Sequence, residues 1–234
     1  MIDFHSHILP ALDDGSRDVS ESIALLKMLS DQGIKTVCAT PHFDANNNSV
    51  SDFHRLREAS CESLKKELPA DAPDIRLGAE VAYYEGISRL DDLKSLCIEG
   101  TNLLLLEMPF SRWTEYSVSE VVQMSCRGDF KLALAHIERY IGFNGIGVFD
   151  RFLENDITMQ VNASFFNELR TRRKAFKMLK GGYVHLIGSD CHSVTSRPPF
   201  IGNALNLIEK KMGPEYLDDM CGYWNSLFSK IYVY

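Results

Sequence analysis

No apolar run in this 234-residue chain approaches the roughly 20 residues needed to span a bilayer, so no direct membrane insertion is expected. A basic excess is missing too. Lysine and arginine total 25 against 32 acidic residues, for a net charge of −7, which argues against nucleic acid as a partner because sequence-independent binding relies on basic surface. There is no CxxC pair: Cys38, Cys61, Cys97, Cys126, Cys191 and Cys221 are scattered. That spacing suits a reducing cytoplasm better than a disulfide framework or a thiolate zinc site. A strand beginning at Ile2 leaves no room for a basic n-region and an apolar h-region, so no signal peptide is expected and the location expected is cytoplasmic. No repeat, linker or low-complexity tract interrupts the chain. With 45% hydrophobic and 24% charged residues, a single globular domain over residues 1–234 is expected.

What is present begins at once. Ile2 to His5 reads as a short apolar strand, and His5 and His7, two residues apart, share a face of it. Asp13-Asp14-Gly15 follows as a turn carrying two carboxylates. Asp18 or Ser20 can cap a helix running to about Gln32. Lys35 to Pro41 is a β-branched strand that delivers His42, and a helix from about Asp52 to Leu68 precedes a third strand, Ile75 to Val81, carrying Glu80. After a helical segment near Ile87–Ser95, the run Asn102 to Met108 fits a strand covered on both faces and holds Glu107. Strands at Lys131–Ala135, Ile157–Val161 and Val184–Gly188 alternate with helices at Val118–Arg127, Val148–Glu154 and Phe165–Leu179. Helices at Gly202–Met212 and Tyr216–Phe228 close the chain. Seven strands alternating with helices imply an α/β fold with a parallel sheet. Polar residues recur at strand C-terminal ends, so a closed, TIM-like (β/α)7 barrel, which gathers those ends at one mouth, is expected over an open sheet.

Those strand-end residues are His5, His7, Asp14, His42, Glu80, Glu107, His136, Asp190 and His192. Glu80 and Glu107 sit among apolar neighbours, where an unpaired carboxylate is costly to bury. Five histidines and four carboxylates exceed one ion's needs but suit two or three divalent ions with bridging carboxylates. With no cysteine in the set, nitrogen and oxygen donors admit Mn²⁺, Fe²⁺ or Zn²⁺, and Mg²⁺ less comfortably. Such a site lowers the pKa of bridging water, giving an activated hydroxide, and clamps a phosphoryl group for in-line displacement. Arg139 and Arg197, shortly after His136 and His192, are natural partners for phosphate oxygens. His54 and His185 fall outside the pattern and read as ordinary. Cys191 to Arg197 matches the C-x5-R pattern of thiolate phosphatases, but no glycine lies between them to shape a phosphate cradle, and Asp190 opposes a thiolate.

The segments HSHILPALDDG, ATPHF, LGAEV, LLLLEMPF, LAHIERY, QVNASF and SDCHSVTSRPP, in order along nearly the whole chain, resemble the PHP (polymerase and histidinol phosphatase) superfamily. Within it they are most similar to the bacterial protein-tyrosine phosphatases of the CpsB/CapC type. The resemblance implies a distorted seven-stranded barrel and a trinuclear, usually manganese-dependent centre on the nine residues above, with Arg139 and Arg197 handling phosphate. It further implies, as substrate and partner, the tyrosine-phosphorylated tail of a bacterial tyrosine kinase that governs capsule or exopolysaccharide synthesis. Another PHP phosphoesterase, such as a histidinol-phosphate phosphatase, is the neighbouring reading, and a non-catalytic metal-stabilised regulatory module is the distant one. Three positions depart from the family pattern: Ser16 where proline is expected, Phe43 where a second histidine often stands, and Cys191 at a usual alanine. Phe43, Tyr83, Tyr84, Phe110, Trp113 and Tyr140 fall near motif ends, where a substrate phenyl ring could pack.

Overall fold

Short apolar strands and amphipathic helices alternate along the chain, and in the computed structural model, which describes residues 1–229, every strand pairing is parallel. In order, the elements are β1 (Ile2–Ser6), α1 (Val19–Asp31), β2 (Thr36–Ala39), β3 (His42–Phe43), α2 (Val50–Lys65), β4 (Asp74–Leu77) and β5 (Glu80–Ala82). Two 3₁₀ turns, Ile87–Arg89 and Asp91–Leu96, stand where a longer helical segment was expected, and lead to β6 (Leu103–Glu107) and α3 (Glu115–Ser125). Next come β7 (Lys131–Leu134), a 3₁₀ turn (Ile137–Arg139), α4 (Ile141–Asn144), α5 (Val148–Leu153) and β8 (Thr158–Asn162). The expected helix Phe165–Leu179 is two helices, α6 (Ala163–Asn167) and α7 (Leu169–Lys180), because Glu168 between them is extended at φ −73°, ψ 130°. Then follow β9 (Leu186–Gly188), α8 (Ile201–Met212) and α9 (Pro214–Ser229).

Helix starts follow local chemistry. The side chains of Asp18, Ser49 and Thr114 accept from the backbone N–H of Glu21, Asp52 and Ser117 at 2.9, 3.1 and 3.1 Å, so Asp18 rather than Ser20 caps α1.

The strands form two ladders, β1-β2-β4 and β3-β5-β6-β7-β8-β9. The third strand expected from sequence is therefore broken in two, and the second stops at Ala39, with His42 carried on a separate strand, β3. Pro41 removes a ladder donor at one break, and Gly78 marks the other. Backbone bonds still cross both breaks: Gly78 N–H donates to Ala39 O at 2.8 Å and Glu80 N–H to Pro41 O at 3.0 Å. The chain after β9 returns to β1, with Asp190 N–H on His5 O at 2.8 Å and His7 N–H on Cys191 O at 3.0 Å. Leu103 to Leu106 of β6 are all buried, as a doubly covered strand requires. At the opposite end from the metal-type residues, Trp224 of α9 packs edge-on against Phe4 at 5.6 Å and donates its Nε1–H to His185 O at 2.8 Å. The C-terminal strand ends are left to build the site.

Candidate metal centre

All nine strand-end residues converge. Their ligand atoms form four overlapping groups, each within 4.8 Å: His7, Asp14, His42 and His192; His5, His7 and Asp190; His5, Glu80 and His136; and His42, Glu80 and Glu107. Glu80 is the hub. Its Oε2 lies 3.2, 3.3 and 3.1 Å from His5 Nε2, His7 Nε2 and His42 Nδ1, while Oε1 lies 2.8 Å from His136 Nε2. Glu107 reaches the same His136 nitrogen at 3.3 Å, and Asp14 sits 3.3 and 3.4 Å from His42 and His192 Nε2. Asp190 Oδ1 completes the cluster at 3.7, 3.5 and 3.6 Å from His5, His7 and His192.

The donor set fits divalent ions. Ligands held about 2.1 Å from one ion stand roughly 3.0 Å apart at octahedral and 3.4 Å at tetrahedral angles, close to the separations found here. Hydrogen bonds behind the rings point the same way. His7 Nδ1 bonds Asp13 Oδ2 at 2.7 Å, His5 Nδ1 bonds Gln160 Oε1 at 3.2 Å, and His192 Nδ1 bonds the Asp190 carbonyl at 3.0 Å. Each bond suits a proton on Nδ1, which in the neutral ring leaves Nε2 as the nitrogen free to bind an ion. Gln160 Oε1 also accepts from His136 N–H at 2.7 Å, and its Nε2 donates to Asn162 Oδ1 at 3.0 Å; Asn162 Nδ2 in turn donates to Asp190 Oδ2 at 2.7 Å. One chain of two amides thus ties together His5, His136 and Asp190. His136 and Asp190 hold positive φ values of 30° and 51°, conformations that non-glycine residues rarely adopt and that cluster at functional sites. Close packing supports the rings: a Cβ on Gly188 would lie 2.5 Å from His5 Cβ, and one on Gly15 would lie 2.2 Å from His7 O.

Comparison with known proteins gives the same direction. The family model for capsular polysaccharide synthesis, CpsB/CapC, matches residues 1–226. The chain belongs to the CpsB/CapC family. It is 30% identical to the tyrosine-protein phosphatase YwqE of Bacillus subtilis (strain 168) over 92% of this chain and 86% of that protein. It is also 30% identical to the tyrosine-protein phosphatase CpsB of Streptococcus pneumoniae over 91% of each chain. A crystal structure from work on those two proteins, described as unique metal-dependent tyrosine phosphatases, superposes with a TM-score of 0.81 at 25% identity, covering 98% of this chain and 94% of the other.

This CpsB/CapC chain holds its two arginines differently from the simple expectation. Both Arg139 and Arg197 bond Asp190 Oδ2, and Arg197 also donates to His192 Nε2 at 2.8 Å. They stand at the rim of the cluster, partly exposed. Most of the aromatic residues near motif ends turn out to be packing residues. Phe43 is buried against Phe53 at 5.1 Å, Trp113 and Tyr140 pack on each other at 5.0 Å, and the Tyr83 hydroxyl donates to Glu120 at 2.8 Å. Phe110 alone among the six is a strongly exposed ring at the site, 50% exposed and stacked 5.7 Å from His136. Ser16 uses what proline lacks: its N–H donates to His7 O at 3.0 Å and its hydroxyl pairs with Ser22 at 2.8 Å. Cys191 is fully buried, and burial together with Asp3 pushes its thiol well above the ordinary range, so it is no thiolate nucleophile. His54 and His185 lie outside the cluster, bonded to Ser95 at 3.0 Å and to Met159 N–H at 3.1 Å.

Asp13, Gln160 and Asn162, which lie outside the nine strand-end residues, hold His7, His5, His136 and Asp190 from behind. Gln160 and Asn162 carried a usable signal, since the polar residues of TMQVN, Thr158, Gln160 and Asn162, alternate with apolar ones and so share one face of a buried strand. Glu138 lies outside the nine as well; burial lifts its carboxyl to about 7, and its Oε1 accepts from Asn162 N–H at 3.2 Å.

The cluster's charge has a measurable consequence. Burial opposes a proton on His7, but Asp13 and Glu80 outweigh it and lift the ring to about 9; His42 is lifted to about 9 against burial by Glu80 and Asp13. A histidine raised above its unfolded value of about 6.5 stabilises the fold fully below that pH, and the contribution is lost as pH rises through the folded value. In the presence of chelator, Tm is therefore expected to fall as pH rises from about 6.5 to about 9. Added Mn²⁺ should abolish the fall, because ions bind neutral imidazole. Calorimetry across that window checks this, and a chelated Tm that stays flat or rises would contradict it.

Proposed function

We propose that this chain is a metal-dependent protein tyrosine phosphatase, a phosphoric monoester hydrolase of the cytoplasm acting in capsule or exopolysaccharide synthesis. The observation that carries the reading is the nine-residue nitrogen and oxygen cluster with two arginines at its rim, in a chain whose family relatives are named tyrosine-protein phosphatases. His5, His7, Asp14, His42, Glu80, Glu107, His136, Asp190 and His192 would hold two or three divalent ions, manganese foremost, with iron, zinc or magnesium as alternatives. Bound there, the ions supply Lewis-acid charge that activates water and neutralises phosphoryl oxygens. The chain's own residues do the rest. Arg139 and Arg197 turn from Asp190 to the phosphoryl oxygens and stabilise charge as it builds. Phe110 offers its exposed face to the tyrosine ring. Asp13, Gln160 and Asn162 hold the ligand rings and Asp190 in register. Tyrosinate, with an intrinsic pKa of about 10, leaves without a strong general acid.

The architecture we propose is one domain whose strands make a distorted seven-stranded barrel. It is supported by the backbone bonds across the two strand breaks and from the segment after β9 to β1. Among the described residues no helix is long and apolar enough to cross a membrane. The substrate we take to be the tyrosine-phosphorylated tail of a bacterial tyrosine kinase. Steady-state kcat/KM at fixed Mn²⁺ and pH on phosphotyrosine, phosphoserine and phosphothreonine peptides and on histidinol phosphate tests the assignment. The phosphotyrosine peptide is expected to be turned over fastest and histidinol phosphate to be a poor substrate. Histidinol phosphate outrunning the phosphotyrosine peptide would move the chain to the histidinol-phosphate phosphatase reading.

A further inference from the structure

One face of this acidic protein is strongly basic. α7 reads LRTRRKAFKMLK, and between Phe165 and His185 the only acidic residue is Glu168. The helical repeat sorts the segment cleanly. Ala175, Phe176, Met178 and Leu179 are buried, while Arg170, Arg173, Lys174, Lys177 and Lys180 are exposed. Arg172 is half-buried and spent on structure, donating to the carbonyls of Phe166 at 2.9 Å and Asn167 at 2.6 Å. Among the described residues none of the five exposed cations is ion-paired. They line a concavity of about 700 Å³ together with Lys211 of α8, whose ammonium sits 4.3 Å from the Phe176 ring centre.

The stripe has an apolar end. Leu169, the first residue of α7, is 82% exposed, and Phe200 is 49% exposed. Asn167 Nδ2 donates to Phe200 O at 2.7 Å, which fixes the two exposed side chains at the same end of the helix. That end lies nearer the metal centre, since α6 connects it directly to Asn162, the residue bonded to Asp190.

From this juxtaposition we infer that the α7 face docks the protein on an anionic lipid surface. Unneutralised like charges packed on one helix repel one another, and a plane of negative headgroups relieves that repulsion for all of them at once. Against such a plane a chain of net charge −7 is oriented, its basic face inward and its acidic remainder outward. Leu169 and Phe200 suit the headgroup boundary, where exposed apolar side chains beside a basic stripe gain burial that a purely ionic partner does not give. Docked this way, the metal centre would stand close to the membrane plane. The inference rests on the surface alone and not on the phosphatase reading.

Vesicle co-sedimentation with the full chain tests it, using phosphatidylcholine alone and phosphatidylcholine mixed with phosphatidylglycerol at about 0.1 M salt, where the Debye length is about 10 Å. Wild-type protein is expected to pellet with the anionic vesicles and not with the neutral ones. The double variant Arg173→Glu/Lys177→Glu should lower the partition coefficient about tenfold or more, with an unchanged Tm. Leu169→Ser should weaken the association that survives high salt. Equal association with both vesicle types, association with neither, or undiminished binding of the double variant would overturn the inference. So would capture of an acidic peptide such as polyglutamate, lost on charge reversal, without vesicle binding; the face would then be a protein-docking site.

Discussion

Glu80→Gln is expected to lower kcat/KM on a phosphotyrosine peptide by at least about 100-fold, and to lower bound metal with it. The carboxylate is buried, and burial alone would favour its neutral form; His5, His136 and His42 instead hold it well below the usual carboxylate range. Its two oxygens touch four of the five clustered histidines, at 2.8 to 3.3 Å. The amide keeps the shape but removes the charge that balances those rings, and it turns one acceptor into a donor facing inward. None of the other three carboxylates touches as many of the histidines. Elemental analysis alongside kinetics separates the causes: loss of activity with full metal content would mean that Glu80 acts on substrate rather than as a ligand. Retention of both metal and turnover would remove it from the site altogether.

The second large effect belongs to the arginines. Arg139→Ala and Arg197→Ala are each expected to cut kcat/KM by about 10²-fold or more, the scale of losing one oxyanion donor, with metal content unchanged. Both guanidinium groups bond Asp190 Oδ2, and neither belongs to the four ligand groups. Removing one leaves Asp190 with the other arginine and with Asn162, so the ligand should stay in place. Near wild-type kinetics in both variants would show that these arginines only neutralise Asp190. Loss of metal in either would make it a support for the ligand shell instead of a phosphate contact.

The convergence of these nine residues was legible because a parallel β/α chain puts strand C-terminal ends together whatever the details of closure. Each of His5, Glu80, Glu107, His136 and Asp190 could therefore be found by its position at or just beyond the end of an apolar run. The two strand breaks were not legible. The pattern Lys35 to Pro41 looks continuous, and only the donor missing at Pro41 interrupts its ladder. The side on which each aromatic residue lies was not legible for a related reason: proximity to a motif does not say which face a side chain takes. Phe43 is the residue after His42, so alternation along the strand turns it away from the cluster and onto Phe53. Asp13 lay in plain view beside Asp14, but its role depends on the turn at Gly15, whose close approach to His7 aims one carboxylate at the His7 ring and leaves the other for His42 and His192.

The central claim is that hydrolysis of phosphotyrosine depends on metal held by these nine residues. Its most direct test is kcat/KM of the wild-type protein on one phosphotyrosine peptide, measured after exhaustive chelation and again after reloading with Mn²⁺, with metal content determined on the same samples. Activity is expected to vanish with the metal and to return with it. Full turnover in protein shown by elemental analysis to be free of metal would contradict the account.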